Sequence, residues 1–564
     1  MENTYTTYPG TIALVRANLK TAITCALIFF IIQLIGIFHH EPWTDEFQSF
    51  QIAMNSHSLS NLFFNRRYEG HPALWHLILF VITRFTSNII AMQVVHIIIA
   101  TASIFLLFLY SPFTLIEKII IGFGYYVFYE YAQISRCYVL GVFSIISICC
   151  ILGVSYYQNK SSVQQALKPL TFIWISLLLF LLANSSLYGL LMSGGLTFYI
   201  ILILWDERTT IYSDSKLRKA IVWSVLIILF GWSISIFMIV PPPGNFVNTA
   251  FPPGFDLSFL TSVLQQPLMA YFPIPYSTDL GSWCSSIFYH FNTPFNSFLS
   301  IFFILMIALA FLKKARIFFL YFVFLFIIGA FLLYLPHYWI SPRYYGHFFI
   351  ALFICFWLER YTTANQNLVS TIFQMMYKST STSYLNFISK VNRSLDALRK
   401  TVFYLIITIQ ACVGIYFYCL DFNYPFSKIV VAGEFIVKNH LGRYPFIGGN
   451  DAWVLPFSYY TRQPIFTFER GDTSSFEIYD NKKRIYFSPN EFTDDIVNVV
   501  NNSKTDTAVL CLSDSLEAGN ASGEIVALGQ GDIKKYYHFK YLNKINTPTI
   551  HAEGNFYFFL IWKK

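Results

Sequence analysis

Charged residues are scarce in this chain of 564 residues: only 12% are Asp, Glu, Lys or Arg, against 55% hydrophobic residues. A soluble core cannot bury that much apolar surface, so the composition excludes an ordinary soluble protein and indicates a polytopic membrane protein. The nine cysteines lie mostly within apolar runs and lack metal-type spacing, so neither zinc fingers nor a disulfide framework is implied. The net charge of +8 comes largely from loops between apolar runs, so no nucleic-acid partner is expected.

Apolar runs of spanning length are frequent, and we expect about eleven transmembrane helices. The first run lacks a small-residue cleavage site and is interpreted as a retained helix. The eleven runs are 19–38, 88–110, 119–135, 139–157, 169–186, 188–205, 219–240, 295–312, 317–335, 344–358 and 401–419.

The distribution of Lys and Arg predicts the orientation of these spans. The run 71–86 is short and contains His76 and Arg84, which favours a helix in the membrane interface over a span. With that interpretation the basic loops all fall on one side, whereas the loop 241–294 contains no Lys or Arg. The positive-inside rule then predicts a cytoplasmic N-terminus in a cell (inner) membrane, with outer loops at 39–87 and 241–294.

The composition changes at residue 421. Before it, residues 1–420 are predicted to form the transmembrane domain, in which the polar segment 360–400 is a cytoplasmic linker with some helix. After it, strand-like pieces such as "PIFTFER", "RIYFSP", "TAVLCL" and "FYFFLIW" alternate with helix-like ones. Residues 421–564 are therefore predicted to form a soluble α/β domain on the extracytoplasmic side.

Polar residues collect where these predictions place the outer membrane edge. The first outer loop contains "HHEPWTDEFQSF" and "NRRYEGHPALW", and two further arginines follow in "SRCY" and "SPRYYG". Acids at a helix start can simply stabilise the helix, and arginines at a membrane edge can simply snorkel. Together they suggest a cavity at the interface. Its candidate residues are Asp45, Glu46, Arg66, Arg67, Glu69, His71, Arg136, Tyr138, Arg343 and Tyr344.

This pattern resembles membrane glycosyltransferases of the GT-C fold. The matching features are the Asp45–Glu46 pair, "EGHP" at 69–72 before an interfacial helix, and the Arg and Tyr at 136 and 138 and again at 343 and 344. The branch it resembles includes protein O-mannosyltransferases and the lipid A aminoarabinose transferase. The likeness covers roughly residues 15–420 and is strongest over 40–140. It implies an all-α membrane domain and a sugar donor linked to polyprenyl phosphate.

The resemblance also implies roles for individual residues. Asp45 would be the base that deprotonates the acceptor, with Glu46 beside it. Arg136 and Arg343 would bind the phosphate of the sugar donor, with Arg66 and Arg67 as alternates, while Tyr138 and Tyr344 would line the cavity. Glu69 matches a cavity position that binds a metal in some members, so a divalent cation is possible, and His71 could join it. Apart from the resemblance, His290 in the outer loop 241–294 could be a further ligand, but a lone histidine is more often just a polar loop residue. Some relatives have a Lys after the matching Glu, where this chain has Gly70.

Two other functions fit a helical bundle with charges at one face. A polysaccharide polymerase or ligase would use the same kind of sugar donor, but its long outer loop would be catalytic and its first loop inert. A solute transporter or lipid flippase would place its ionisable groups near mid-span, often within paired repeats. Here the charges collect at the predicted edge and no repeat is visible. The acceptor, whether glycan, lipid or protein, and the sugar are not predicted.

Overall fold

The computed structural model describes residues 11–157, 168–246, 252–335, 341–362, 382–483, 489–503, 505–513 and 537–564. A helical bundle comes first and a small domain containing a β-sheet follows, which confirms the predicted fold class. Most of the predicted strand "RIYFSP", most of the predicted loop 158–168 and part of the segment 360–400 lie outside the described residues.

The bundle is built from helices of very different length, because only some of the apolar runs continue without a break. Its helices are α1 (Thr11–Ile37), α2 (Thr44–Met54), α3 (Leu59–Asn65), α4 (Leu74–Phe85), α5 (Ile90–Tyr110), α6 (Leu115–Gly122), α7 (Tyr138–Ile151), α8 (Pro169–Ala183), α9 (Leu187–Asp206), α10 (Arg208–Ser213), α11 (Ser215–Ile239), α12 (Leu260–Leu264), α13 (Gln266–Tyr271), α14 (Thr293–Phe311), α15 (Ala315–Tyr334), α16 (Pro342–Glu359) and α17 (Thr382–Asn423).

Seven helices among the described residues are long and apolar enough to cross a membrane. Six lie within α1, α5, α9, α11, α14 and α15, and the seventh, Asn386–Lys438, begins in α17. Shorter apolar helices occur at Leu74–Phe85, Tyr138–Val154 and Pro169–Ala183. The chain is thus a polytopic membrane protein, while the predicted total of eleven spans remains a prediction. The helix α17 runs without interruption from Thr382 to Asn423, so much of the predicted linker belongs to it.

The predicted span 119–135 is wrong as a single helix. The helix α6 ends at Gly122, and Gly124 adopts an extended backbone (ψ 142°) before a π-helical turn over Tyr125–Glu130. A side chain at Gly124 would lie 3.0 Å from the carbonyl oxygen of Ile121, so the tight exit from α6 suits glycine. Buried tyrosines then fill the interior, and the chain reaches Arg136 in a loop rather than at a helix end.

The first predicted outer loop folds into α2, α3 and α4. Ser58 caps α3 by accepting a hydrogen bond from the backbone N of Asn61 at 3.1 Å. The helix α4 has only 12 residues, and it buries Trp75 and Leu79 while exposing Val81 and Phe85. The helix is thus short, with one buried and one exposed apolar side, and its position in the membrane interface stays a prediction.

The C-terminal domain contains a mixed six-stranded sheet in the order β3-β2-β1-β4-β6-β5. The strands β2, β1 and β4 are parallel neighbours, and the pairings of β3, β6 and β5 are antiparallel. Strands appear in "PIFTFER", "TAVLCL" and "FYFFLIW", as predicted. The strands are β1 (Phe446–Gly448), β2 (Ile465–Thr467), β3 (Asp472–Ser474), β4 (Thr507–Ser513), β5 (Tyr537–Ile545) and β6 (Phe556–Lys563), and the helices are α18 (Lys428–Lys438), α19 (Asp451–Val454), α20 (Ser458–Thr461) and α21 (Pro489–Asn501).

Candidate active site

Asp45 is the centre of an ionic cluster formed by three separate parts of the bundle. Its Oδ2 lies 2.7 Å from Nη1 of Arg343 and 3.6 Å from Nη2 of Arg136. Asp45 is the second residue of α2, Arg343 the second residue of α16, and Arg136 lies in the loop before α7. The structure therefore brings the predicted base and both first-choice phosphate ligands together.

The charges of this cluster do not cancel. Burial alone would raise the pKa of Asp45, but Arg343 and Arg136 outweigh it and hold the pKa below its usual value. Asp45 is consequently an anion near neutral pH, and the two guanidinium groups leave the cluster with a net positive charge. Such a cluster can accept an anion.

The two arginines also keep unused hydrogen-bond donors. Arg136 donates from Nη1 to the backbone oxygen of Asp45 at 2.5 Å and to Oγ of Ser49 at 3.3 Å. The guanidinium of Arg343 lies 4.7 Å from the ring centre of Trp43 and donates to the hydroxyl of Tyr344 at 3.3 Å. Within the described residues, the buried Nε of each arginine has no hydrogen-bond acceptor. These N–H groups could bind a phosphate through the guanidinium fork.

Glu46 does not share the cluster with its neighbour Asp45. It is fully buried and accepts hydrogen bonds from the backbone N of Ser135 at 2.7 Å and of Trp43 at 3.2 Å. Its Oε2 lies 3.1 Å from Nε2 of His40, whose Nδ1 lies 2.7 Å from Asp421. Burial alone would lower the pKa of His40, but Asp421 and Glu46 together raise it well above its usual value. An imidazolium between two carboxylates thus joins the start of α2 to the end of α17.

Glu69 and His71 lie near the cluster, each with its own partners. Glu69 accepts a hydrogen bond from Gln48 at 2.9 Å and lies 3.8 Å from Nε2 of His76. Burial raises the pKa of Glu69, and the bond from Gln48 opposes that shift. Burial, reinforced by the charges of Arg136 and Arg343, lowers the pKa of His71 to about 3, so His71 is neutral. Its Nε2 lies 3.4 Å from the hydroxyl of Tyr138.

The alternate arginines are engaged elsewhere. Arg66 donates to the backbone oxygens of His71 and, at 2.8 Å, Met238, and burial lowers its pKa to about 10. Arg67 lies 3.6 Å from the ring centre of Phe64 and donates to the backbone oxygen of that residue. Arg66 thus ties the first loop to the end of α11, and Arg67 packs locally.

The candidate metal ligands do not fit a metal site. His290 is exposed and stacks on Tyr276, with 4.0 Å between ring centres. In the described ranges, no group of three or more His, Cys, Asp or Glu side chains is arranged to hold a metal ion. We therefore assign no catalytic step to a metal.

Sequence reasoning missed an aromatic cluster beside Asp45. Trp43 lies 5.1 Å from Trp283 and 4.9 Å from His551 between ring centres, and Phe426 lies 5.1 Å from Trp283. The indole N–H of Trp283 donates at 3.1 Å to the buried carboxylate of Glu130. These residues come from the first loop, the loop 241–294, the C-terminal domain and the π-helical turn. The only sign of this cluster in the sequence is the tryptophan of "GSWC", Trp283, in the loop 241–294.

The C-terminal domain contacts α2 through Gln48. The amide of Gln48 donates to the backbone oxygen of Glu477 at 2.9 Å and accepts from its backbone N at 2.7 Å. The Glu477 carboxylate pairs with Lys483, which also lies 2.9 Å from Asp451. Burial, together with the charge of Asp451, raises the pKa of Glu477 to about 7. One amide side chain thus links Glu69 to an acidic pair of the C-terminal domain.

An apolar cavity of about 420 Å³ opens next to this polar region. We call it the site cavity. Tyr68 and Gly70 of the first loop line it, and so does Leu187, whose backbone N donates to Nδ1 of His71 at 3.4 Å. Its apolar walls come from α9, α11 and α15, including Leu190, Ile239 and Phe331. A ligand with an anionic head and an apolar tail would match this pairing of surfaces.

No family model and no curated protein matches the chain. Among solved structures, it is similar to the crystal structure of ArnT from Cupriavidus metallidurans bound to undecaprenyl phosphate, with 10% identity and a TM-score of 0.46. It is also similar to ArnT of that organism in the apo state, with 11% identity and a TM-score of 0.45. Each likeness covers 96% of this chain and 97% of the other. At such identities no residue role can be transferred.

Proposed function

We propose that this protein is a membrane glycosyltransferase that moves a sugar from a polyprenyl-phosphate donor to an acceptor on the outer face of the membrane. The proposal depends on one observation above all: Asp45, Arg136 and Arg343 converge in one ionic cluster. An apolar cavity begins at Tyr68 and Gly70 of the same loop. A carboxylate, a pair of arginines for the phosphate and an apolar cavity for the first units of the lipid are the parts that such a transfer requires.

The transfer needs little covalent chemistry from the protein. The acceptor hydroxyl gives its proton to Asp45 as its oxygen attacks the anomeric carbon of the sugar. The bond from that carbon to the phosphate oxygen breaks, and polyprenyl phosphate leaves with the electron pair. Arg136 and Arg343 stabilise the charge that develops on the phosphate. Glu46 is a positioning residue, because its contacts to His40, Trp43 and Ser135 hold the start of α2.

Binding of the sugar donor would also activate the base. In the structure Arg343 and Arg136 are paired with Asp45. A phosphate between the arginines takes over part of that pairing, so the pKa of Asp45 rises towards its usual value. Asp45 thereby becomes a stronger base when the sugar donor is in place.

The lipids that accompany the protein test the proposal directly. We expect mass spectrometry of protein extracted from its native membrane to find polyprenyl phosphate or its sugar derivative. An Arg136→Ala/Arg343→Ala double variant should lose that lipid while retaining bulk phospholipid, and Arg67→Ala should keep it. If the wild-type protein carries phospholipid alone and fails to bind added polyprenyl phosphate, the proposed function is wrong.

The proposed orientation has its own test. With the N-terminus cytoplasmic, an impermeant thiol reagent added outside should label cysteines introduced at Asn450 and Thr278 in a cysteine-free background. A cysteine at Lys313 should react only after permeabilisation. Labelling of position 313 in intact cells would reverse the topology and place the site on the cytoplasmic face.

A further inference from the structure

A second apolar cavity, of about 240 Å³, lies between α8, α9 and α11. We call it the distal cavity. Its walls are mostly apolar side chains, including Leu179, Ile201 and Ile228. None of the ionic or aromatic groups of the candidate active site lines it, so the proposed transfer chemistry does not use it.

The two cavities follow the same face of α11. Ile228 and Trp232 line the distal cavity, and Ile236 and Ile239 line the site cavity. Residues spaced by three or four positions lie one above another on a helix. The open face of α11 therefore continues from one cavity to the next.

The helix α9 supplies the opposite wall, with a gap at Gly194. Leu190 lines the site cavity and Thr197 the distal cavity, and Gly194 lies between them at helical spacing. A Cβ atom added at Gly194 would meet no atom within 4 Å. At the same level, the indole N–H of Trp232 donates to Ser193 at 3.0 Å and ties α11 to α9. The helices thus meet at Trp232, and the glycine leaves open space beside the junction.

The combined track is comparable to the thickness of the membrane. From Leu187 to Leu204, α9 extends about 25 Å at 1.5 Å per residue, whereas the hydrocarbon core is about 30 Å thick. A lipid held by its phosphate at Arg136 and Arg343 would lay its first units in the site cavity. Its later units would then reach the distal cavity past Gly194.

We propose that the distal cavity binds the remote isoprenoid units of the sugar donor, so that the track along α9 and α11 selects for chain length. This inference rests on the proposed function. The two cavities follow one another along α9 and α11, which favours an isoprenoid tail over a bilayer acyl chain as the occupant. A tail whose phosphate is held at the arginines passes through the site cavity before it reaches the distal cavity, whereas an acyl chain from the bilayer has no reason to do so. Each buried methylene then contributes about fourfold in affinity.

Obstruction of the gap tests the proposal. Gly194→Leu places a side chain in the open space and improves helix propensity, so the variant should fold. The measured quantity is the ratio of kcat/KM for undecaprenyl-phosphate and geranyl-phosphate sugar donors. We expect this ratio to fall about fifteenfold, the effect of losing roughly two buried methylenes. Gly329→Leu is the matched control, because a Cβ at Gly329 meets only Val263 at 3.9 Å and Gly329 lies on α15 rather than on α9 or α11. It should leave the ratio unchanged.

The remaining outcomes separate the two hypotheses. An unchanged ratio in Gly194→Leu overturns the length selection even if turnover is normal. Wild-type protein that uses no polyprenyl-phosphate sugar overturns the proposed function, and the inference with it. A photoreactive group at the tail end of polyprenyl phosphate provides a readout without turnover. It should label peptides of α8 and α11 around Leu179 and Ile228, whereas labelling of these peptides by photoreactive phospholipid alone contradicts the proposal.

Discussion

Asp45→Asn should change sugar transfer and lipid binding in opposite directions. The substitution removes the proposed base, so turnover should fall about a hundredfold to ten-thousandfold. It also removes the anion that is paired with Arg343 at 2.7 Å and with Arg136 at 3.6 Å. Both guanidinium groups then become fully available to a phosphate. Polyprenyl phosphate should therefore bind more tightly to the inactive variant than to the wild-type protein.

The size of the effect follows from the charges. Two unit charges about 4 Å apart interact by about 4 kcal/mol at an effective dielectric constant of about 20. In the wild-type protein, a bound phosphate competes with Asp45 for the arginines and weakens their pairing with it. If this competition costs about a third of that energy, its removal in Asp45→Asn improves phosphate binding by about 1.4 kcal/mol, or roughly tenfold.

The assay is calorimetric titration of polyprenyl phosphate into protein in lipid nanodiscs, paired with single-turnover transfer. Asp279→Asn is the control, because it makes the same charge change at an exposed position of the loop 241–294. It should leave both quantities unchanged. A folded Asp45→Asn protein that binds polyprenyl phosphate more weakly than wild type would refute the competition between carboxylate and phosphate.

Three further predictions concern the arginines, the buried ion chain and the C-terminal domain. Arg343→Lys should weaken polyprenyl phosphate binding at least about tenfold, because lysine lacks the guanidinium fork. Arg67→Lys is the control and should bind like wild type. If Arg343→Lys binds polyprenyl phosphate as tightly as wild type, Arg343 is not part of the phosphate site. Glu46→Gln should lower the free energy of unfolding by about 3 kcal/mol, measured as a lower Tm, because it breaks the buried ion pair with His40. If turnover is lost while the Tm is unchanged, Glu46 is catalytic rather than a positioning residue. The pKa of Glu477 is raised from 4.5 to about 7, so its neutral form stabilises the folded state fully below pH 4.5, and this contribution is lost as the pH rises through 7. Glu477→Gln should therefore show a smaller fall in Tm than wild type between about pH 5 and about pH 8, and an equal fall would contradict the assignment.

The sequence predicted the class of fold because hydrophobic run length and loop charge are properties of single segments. It could not predict the break after α6, since "IIIGFGYYVFYEYA" is apolar enough for a span and only the extended backbone at Gly124 interrupts it. The structure has the predicted short helix in 71–86, because a run too short to span has few alternatives.

For the candidate site, the sequence could predict a residue's role only where that role follows from the residue type alone. The sequence does not distinguish the roles of Asp45 and Glu46, yet the rotation of about 100° between successive residues of a helix directs Asp45 to the arginines and Glu46 to His40. The second carboxylate partner of His40 is Asp421, 381 residues later in the chain, and no local pattern links the two. Arg66 and Arg343 likewise look alike in the sequence, and only the packing of the loop against α11 gives Arg66 its backbone partners.

The contact of His551 with Trp43 has a consequence for biogenesis. The backbone N of Ile550 and of His551 donates at 3.0 Å to the carbonyl oxygens of Pro425 and Phe426, which fixes this segment against the aromatic cluster. The residues around Trp43 are synthesised early, and those around His551 nearly a whole chain later. At the usual elongation rates of about 5–20 residues per second, the aromatic cluster beside Asp45 stays incomplete for tens of seconds after Asp45 has been translated. In the proposed topology, a nascent chain therefore carries Asp45 and the two arginines through membrane insertion before the candidate site is closed, and the segment around His551 closes it last.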